Sequence, residues 1–436
     1  MDHIIFIAFE FPPLQAGGVF RSKEFAKLLP DYGVLPHVYR LSPQHFGNIY
    51  PGFRLDEKLT HEVAASKAVV KDVPIDPVWN LYSNGIKRFL NIYFNVYRGN
   101  EHKKWRHHLL SMVLKDAEQT PFKAVFVTAP PFGMLPLAAE IAERLELPLI
   151  IDMRDAWSFW NSTGFGSYFH YLATLSKERK YFKRADAVIA TSDQTISDWR
   201  ELHPHFAGGK FHCITNGYDR NNVPPISREI IIKPVSHEKE FSIVYVGSFY
   251  YSPDARNNML LPAWKRKRLR KLQYYPRKQD WLYRSPYFFF KALARLFEID
   301  PPLRKLVKVK FAGDEYDWLR KMITEFGLQN EVQLLGRIDH SESLALQRTA
   351  DALLITSAKV YGGRDCFIAG KTFEYITMNR PVLAFVAEGS QKDLLEKTGL
   401  SVGFDPDNTE ASAIRLKQIL REGLALTPRI SFIETF

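Results

Sequence analysis

Cysteine is almost missing from this chain: Cys213 and Cys366 are the only two in 436 residues. Two thiols so widely spaced give no disulfide framework and no metal-ligand pattern, and point to a reducing compartment. Long apolar runs are missing too. No stretch of about 18 uncharged apolar residues occurs, so nothing reads as a membrane span. A leader segment is not expected, because the brief apolar run after Met1-Asp2 stops at Pro12-Pro13 and reads as a first strand. These absences set the expectation of a cytoplasmic protein. What remains is globular in composition, with 46% hydrophobic and 25% charged residues. The length exceeds what one core holds and suits two domains of roughly 200 residues each.

Short apolar, β-branched runs recur along the chain. They fall at Ile4–Ala8, Val34–Tyr39, Val125–Thr128, Leu149–Ile151, Ala187–Thr191 and Phe211–Ile214. Helical patterns such as Leu135–Leu145 and Tyr171–Arg184 lie between them. A second series follows at Ile243–Val246, Val307–Phe311, Val332–Leu334, Ala352–Ile355, Val382–Phe385 and Ser401–Phe404. This alternation predicts parallel strands with crossover helices, in two doubly wound halves. Asn221 to Glu240, with Pro224-Pro225 and Pro234, reads as a linker. The expected organisation is therefore 1–220, a linker at 221–240, a second domain at 241–425 with an insertion at 250–284, and a return segment starting at 426–436. Open parallel sheets bind ligands outside the carboxyl ends of their strands.

The stretch Gly370-Lys371-Thr372-Phe373-Glu374-Tyr375-Ile376 is the most informative. Met378-Asn379-Arg380-Pro381 and the apolar Val382–Phe385 follow it. It reads as a glycine-rich loop, a helical turn carrying a carboxylate, and a buried strand. A helix start offers N–H groups to an anion, and a Glu one turn later can accept from both hydroxyls of a ribose. An ordinary loop-helix-strand unit would read the same way.

The order glycine loop, Lys, Phe-Glu-Tyr, Arg-Pro, strand resembles the donor-binding motif of retaining GT-B glycosyltransferases of the family 4 type. The opening of the chain resembles the same family: a strand, Phe11-Pro12-Pro13, Gly17-Gly18, Arg21, then a helical pattern ending near Gly33. Thr128-Ala129-Pro130-Pro131, Ile151-Asp152-Met153-Arg154-Asp155-Ala156-Trp157, Asn216-Gly217-Tyr218-Asp219, Tyr245-Val246-Gly247-Ser248 and Phe311-Ala312-Gly313 fall in the family's order. The resemblance implies two Rossmann-like domains facing a cleft. It implies transfer of a hexose-type sugar from a nucleoside diphosphate to a polysaccharide or lipid-linked oligosaccharide. No metal or other cofactor is expected.

Site residues carry over position by position. Gly17 and Gly18 match the loop that approaches donor phosphates, and Glu374 matches the ribose carboxylate. Gly370 and Lys371 would face the diphosphate, although Lys371 could also be a helix-surface residue, and Gly247, at the end of a strand, is a further donor-binding candidate. Arg256 and Arg284 are the candidates for the cation that meets the leaving diphosphate, with Arg284 preferred because it directly precedes a helical pattern. Two departures stand out. Many members carry a Glu eight residues before the ribose Glu; here that position is Cys366, with Asp365 beside it as the substitute. Members often place a His where Arg154 stands, followed here by Asp155. Arg154 cannot act as a base, so it would hold diphosphate or an acidic acceptor, with Asp155 as the acceptor-side carboxylate. A structural Arg–Asp pair is the alternative. The departures also leave open a catalytically silent sugar-nucleotide-binding protein on the same fold; a nucleotide-sugar epimerase is a separate alternative, without the cleft acids and histidines it would want.

Pro262 to Arg284 is strongly basic, with Lys265, Arg266, Lys267, Arg268, Arg270, Lys271, Arg277, Lys278 and Arg284 against Asp280 alone. Trp264, Tyr274, Tyr275, Trp281 and Tyr283 are interleaved. Such a segment suits an anionic membrane surface, less readily nucleic-acid phosphate, or a solvated loop. A peripheral position on the inner face of a membrane is the corresponding expectation.

Overall fold

A computed structural model describes residues 1–50, 52–77, 100–159, 164–206, 209–219, 223–236, 239–267 and 270–436. Arg268, Leu269 and parts of the 221–240 stretch lie outside the described residues. By internal contacts the chain divides into two units: Met1–Ile214 with Arg268–Pro276, and Thr215–Lys267 with Arg277–Phe436.

Among the described residues the first unit is built on a seven-stranded sheet: β1 (Asp2–Ile7), β2 (Val34–Leu41), β3 (Val69–Val73), β4 (Phe122–Ala129), β5 (Leu149–Met153), β6 (Ala187–Ala190) and β7 (Phe211–Cys213). Their order in the sheet is β3-β2-β1-β4-β5-β6-β7, and every pairing is parallel. Strand β1 shows why its apolar run is unbroken. Ile5 and Ile7 enter one core cluster while Ile4 and Phe6 enter another on the opposite face, as a strand covered by helices on both sides requires. β3 escaped the sequence reading. Val69-Val70-Lys71-Asp72-Val73 is an edge strand, half exposed and interrupted by charge, so it lacks the apolar signature of its neighbours.

The second unit repeats the plan with β8 (Phe241–Val246), β9 (Val307–Ala312), β10 (Val332–Gly336), β11 (Ala352–Thr356), β12 (Val382–Phe385) and β13 (Ser401–Phe404). The order is β10-β9-β8-β11-β12-β13, again all parallel. Helix Tyr287–Ile299 buries Phe289, Phe290, Leu293 and Leu296 against this sheet. The stretch anticipated as linker contains a short strand, Ile230–Ile232, paired antiparallel with Leu424–Leu426. In both sheets the order reverses direction beside the first strand, which opens a crevice at the carboxyl ends. Two doubly wound parallel-sheet units, as anticipated, are the architecture of the GT-B fold.

Candidate functional site

In the first unit, β1 runs into a loop that opens helix Gly17–Leu28. No side chain caps that helix; Ala16 precedes it in extended conformation. Its first N–H groups are therefore available to an anion. Arg21, one turn in, donates from Nε and Nη2 to Asp152 at 3.0 and 2.7 Å, and Thr128 Oγ1 donates to the same carboxylate at 2.8 Å. Asp152 is wholly buried. A charge there is held only because it is fully paired, and the trio fastens helix, β4 and β5 together.

Arg154 stands two residues beyond Asp152 and is also buried. Its Nη2 donates to Glu10 Oε2 at 2.9 Å and to the carbonyl of Pro130. Its Nε and Nη1 have no partner. A Cβ placed on Gly18 would come 1.7 Å from Arg154 Nη1, so glycine is required there for the guanidinium to lie over the helix start. The carboxylate seen against Arg154 is thus Glu10, which the sequence reading missed. Glu10 lies in the loop after β1, 144 positions from its partner, and no local spacing announces such a pair. Asp155 is partly buried in the loop that follows. That loop is anchored from below by Glu178, which accepts from Ser158 N and Oγ at 2.9 and 2.6 Å, with His203 Nε2 2.9 Å away.

In the second unit the candidates gather around the end of β8. Gly247 has φ +97°, a conformation open to glycine and rare elsewhere. A Cβ there would lie 3.0 Å from Lys371 Nζ, and one on Gly313 would strike the Gly247 carbonyl at 2.5 Å. Lys371 Nζ is buried without a hydrogen-bond partner and rests 3.7 Å from the centroid of the Tyr245 ring. Burial pushes its pKa down to about 7, partly opposed by the nearby Glu374. The helix that carries both residues is only Lys371–Tyr375. It is too short for its own N-terminus to bind an anion. Gly370 has open space beside it, and the loop is clamped by Gln391, which accepts from Ala369 N at 2.8 Å and bonds Thr372 Oγ1.

Glu374 is half-buried, and its Oε2 accepts from Gln347 Nε2 at 3.3 Å. Arg284 packs its guanidinium over the rings of Trp281 and Phe367, at 5.7 and 5.5 Å. Among the described residues that guanidinium has no ion pair. Arg256 is different. Its Nη2 reaches Asp280 Oδ2 at 2.7 Å in a two-pronged pair, and Asp280 is buried. Of the two arginine candidates, only Arg284 keeps its cation uncommitted. Asp365 is buried too, and its Oδ1 accepts from Phe367 N at 3.2 Å. Beyond the anticipated set, Asp314 receives Ser248 Oγ at 2.7 Å and Tyr316 OH at 3.2 Å. Arg337 above all, then these hydroxyls, bring its carboxyl down to about 2, so it stays ionised at the carboxyl end of the sheet.

The basic insertion does not present all of its interleaved aromatics and cations to solvent. Trp281 and Tyr283 are buried in the second unit. Arg266 is buried as well, donating to the Leu261 carbonyl at 3.0 Å. Packing claimed these side chains, leaving Trp264, Lys265, Lys267, Arg270, Lys271, Leu272 and Lys278 exposed.

No family model matches the sequence, and no curated protein matches it. Solved structures do match in fold. Anabaena HepE in complex with UDP-glucose superposes with a TM-score of 0.55 at 15% identity, over 96% of this chain and 90% of that one. Sucrose-phosphate synthase from Thermosynechococcus elongatus gives 0.53 at 13% identity, with the same coverage of both chains. The lipopolysaccharide outer core galactosyltransferase WaaB gives 0.53 at 13%, over 96% and 90% of the two chains. At these identities the likeness is one of fold.

Proposed function

We propose that this chain transfers a sugar from a nucleoside-diphosphate sugar to a hydroxyl group. The observation that carries the reading is Lys371 Nζ, buried and unpaired beneath Gly247. A buried ammonium without a partner is unfavourable in the free protein and becomes favourable when an anion arrives. Arg284, uncommitted on its aromatic shelf, supplies a second cation. Departure of a nucleoside diphosphate develops negative charge, and cations fixed in advance lower that barrier. Glu374 serves the ribose hydroxyls. Gly17, Gly18 and Arg154 form the anion-binding surface of the first unit, with Asp155 on the acceptor side. The fold neighbours include a protein holding UDP-glucose and a galactosyltransferase, which supports a UDP-hexose donor.

The motif order of the donor loop supports retention of configuration, and an acceptor on a polysaccharide or lipid-linked oligosaccharide. Since Lys371 and Arg284 meet the leaving charge, chelators should leave turnover unchanged. Cys366, standing where the resembling family keeps a sugar-contacting Glu, favours a second reading: nucleotide-sugar binding without transfer.

Release of nucleoside diphosphate across a panel of nucleotide sugars, with and without hydroxyl acceptors, tests both. Acceptor-dependent release supports transfer. Tight binding without release selects the silent protein. Failure to bind any nucleotide sugar overturns both.

A further inference from the structure

Helix Tyr168–Arg184 of the first unit carries cations and apolar groups on its outer side and no exposed acid of its own; the nearest exposed one seen is Asp186, paired with Arg184 at the helix end. Helix Tyr168–Arg184 has a single carboxylate, Glu178, and that one is fully buried beneath Ser158 and His203. Outward, the helix shows Tyr168, Phe169 and Leu172 in its first turns, with Phe169 67% exposed. Lys177, Arg179, Lys180 and Lys183 follow, all exposed. Phe169, Leu172, Ser176, Lys180 and Lys183 recur at steps of three and four and so share one stripe. Among the described residues these lysines and Arg179 have no ion pair. Although Lys177 is exposed as a residue, partial burial of its ammonium, and then the positive charge of Lys103 on helix Asn100–Ala117, hold its pKa down.

A second element extends this face. Tyr274 exchanges both backbone hydrogen bonds with Phe165 at 2.9 Å, and its ring lies 4.9 Å from that of Tyr168 and 5.0 Å from that of Tyr171. Tyr275 covers Gly164, where a Cβ would stand 2.5 Å from the ring. The segment is thereby stapled to the start of the helix. Two residues before Tyr274, Leu272 is 61% exposed, and Arg270 and Lys271 beside it are exposed as well.

We infer that this face, the outer stripe of Tyr168–Arg184 together with Arg270–Leu272, docks on an anionic lipid bilayer. Phe169, Leu172 and Leu272 enter the acyl boundary, Tyr168 sits at headgroup depth, and the cations meet lipid phosphates. A bilayer fits better than a protein partner, because lysine is depleted in protein interfaces. The inference deepens the proposed function by bringing a lipid-linked acceptor to the enzyme. It is measured without any sugar donor, so the two can fail separately.

Co-sedimentation with phosphatidylcholine vesicles, with and without phosphatidylglycerol, decides it. The parent should bind the anionic vesicles and lose affinity as salt rises. Each cation near the surface contributes roughly fivefold, so Arg179→Gln, Lys180→Gln and Lys183→Gln together should weaken binding about 100-fold. Phe169→Ser with Leu172→Ser should remove whatever binding survives high salt. Unfolding midpoints within a few degrees of the parent establish that these exposed substitutions fold. Lys265→Gln with Lys267→Gln, in the other unit, should change binding less than about twofold. The inference is overturned if the parent ignores anionic vesicles at low salt, or if the triple variant binds like the parent. It is equally overturned if the Lys265/Lys267 pair carries the effect, or if the protein binds single-stranded nucleic acid and not vesicles.

Discussion

The ammonium of Lys371 lies 3.7 Å from the centre of the Tyr245 ring and has no hydrogen-bond acceptor. The ring face gives partial compensation, yet burial still lowers the pKa from 10.5 to about 7. The unfolded chain therefore binds this proton more readily than the folded one between those two values. Stability attributable to Lys371 rises with pH across that window, and its penalty is fully present below pH 7. Lys371→Met should raise the melting temperature of the free protein, with the gain widest at and below pH 7 and vanishing near pH 10. Thermal scans of parent and variant across pH measure the gap; a gap independent of pH would contradict the assignment.

The same group makes donor binding pH-dependent. An arriving diphosphate favours the charged ammonium, so binding above pH 7 must take up a proton. Affinity for a nucleotide sugar should fall as pH rises above about 7, by up to tenfold per unit, and stay level below. Calorimetry at pH 8 in buffers of different ionisation enthalpy should detect that proton, and Lys371→Met should abolish the uptake.

Glu374→Ala should weaken nucleotide binding by about 1.5–3 kcal/mol, the worth of a charge-assisted hydrogen bond, and remove turnover. Glu374→Gln should keep part of the binding. Equal affinity of Glu374→Ala and parent for UDP, GDP and ADP would exclude the ribose role.

Arg284 and Arg256 should separate cleanly. Arg284→Ala removes an uncommitted cation, so kcat falls while the melting temperature holds. Arg256→Ala leaves the buried Asp280 carboxylate unpaired and should destabilise by roughly 1–3 kcal/mol. Paired measurements of turnover and unfolding would expose any exchange of these roles.

Gly18→Ala should mimic Arg154→Ala. The added methyl occupies the position of Arg154 Nη1, so both variants remove the guanidinium from the helix start. For each, kcat and kcat/KM should drop together. Near-normal turnover in Gly18→Ala would show that Arg154 need not lie there.

Much of the fold was legible because buried parallel strands are continuous apolar runs, as at Ile4 to Ile7 and Val382 to Phe385. β3 was not, since an edge strand tolerates Lys71 and Asp72. The donor-side candidates were legible where local order carries them: Gly370, Lys371 and Glu374 occupy a single turn. Long-range electrostatics left no such trace. Glu10 with Arg154, Arg256 with Asp280, and Asp314 with Ser248 are pairs that only folding brings together. Nor could composition divide the basic insertion into buried Trp281, Tyr283 and Arg266 and exposed Trp264 and Leu272, because both sets share the same residue types.

The chain passes from one unit to the other three times, since Arg268–Pro276 returns to the first unit before Arg277 rejoins the second. A cut at residue 214 therefore does not separate the gene into two self-contained halves. The C-terminal fragment would carry a ribbon whose Tyr274 had lost the Phe165 backbone and the Tyr168 and Tyr171 rings. The N-terminal fragment would expose those same groups as an unpaired edge. Each half thus holds a template for the other, and complementation of separately expressed fragments would depend on the short segment around Tyr274 that neither boundary reveals.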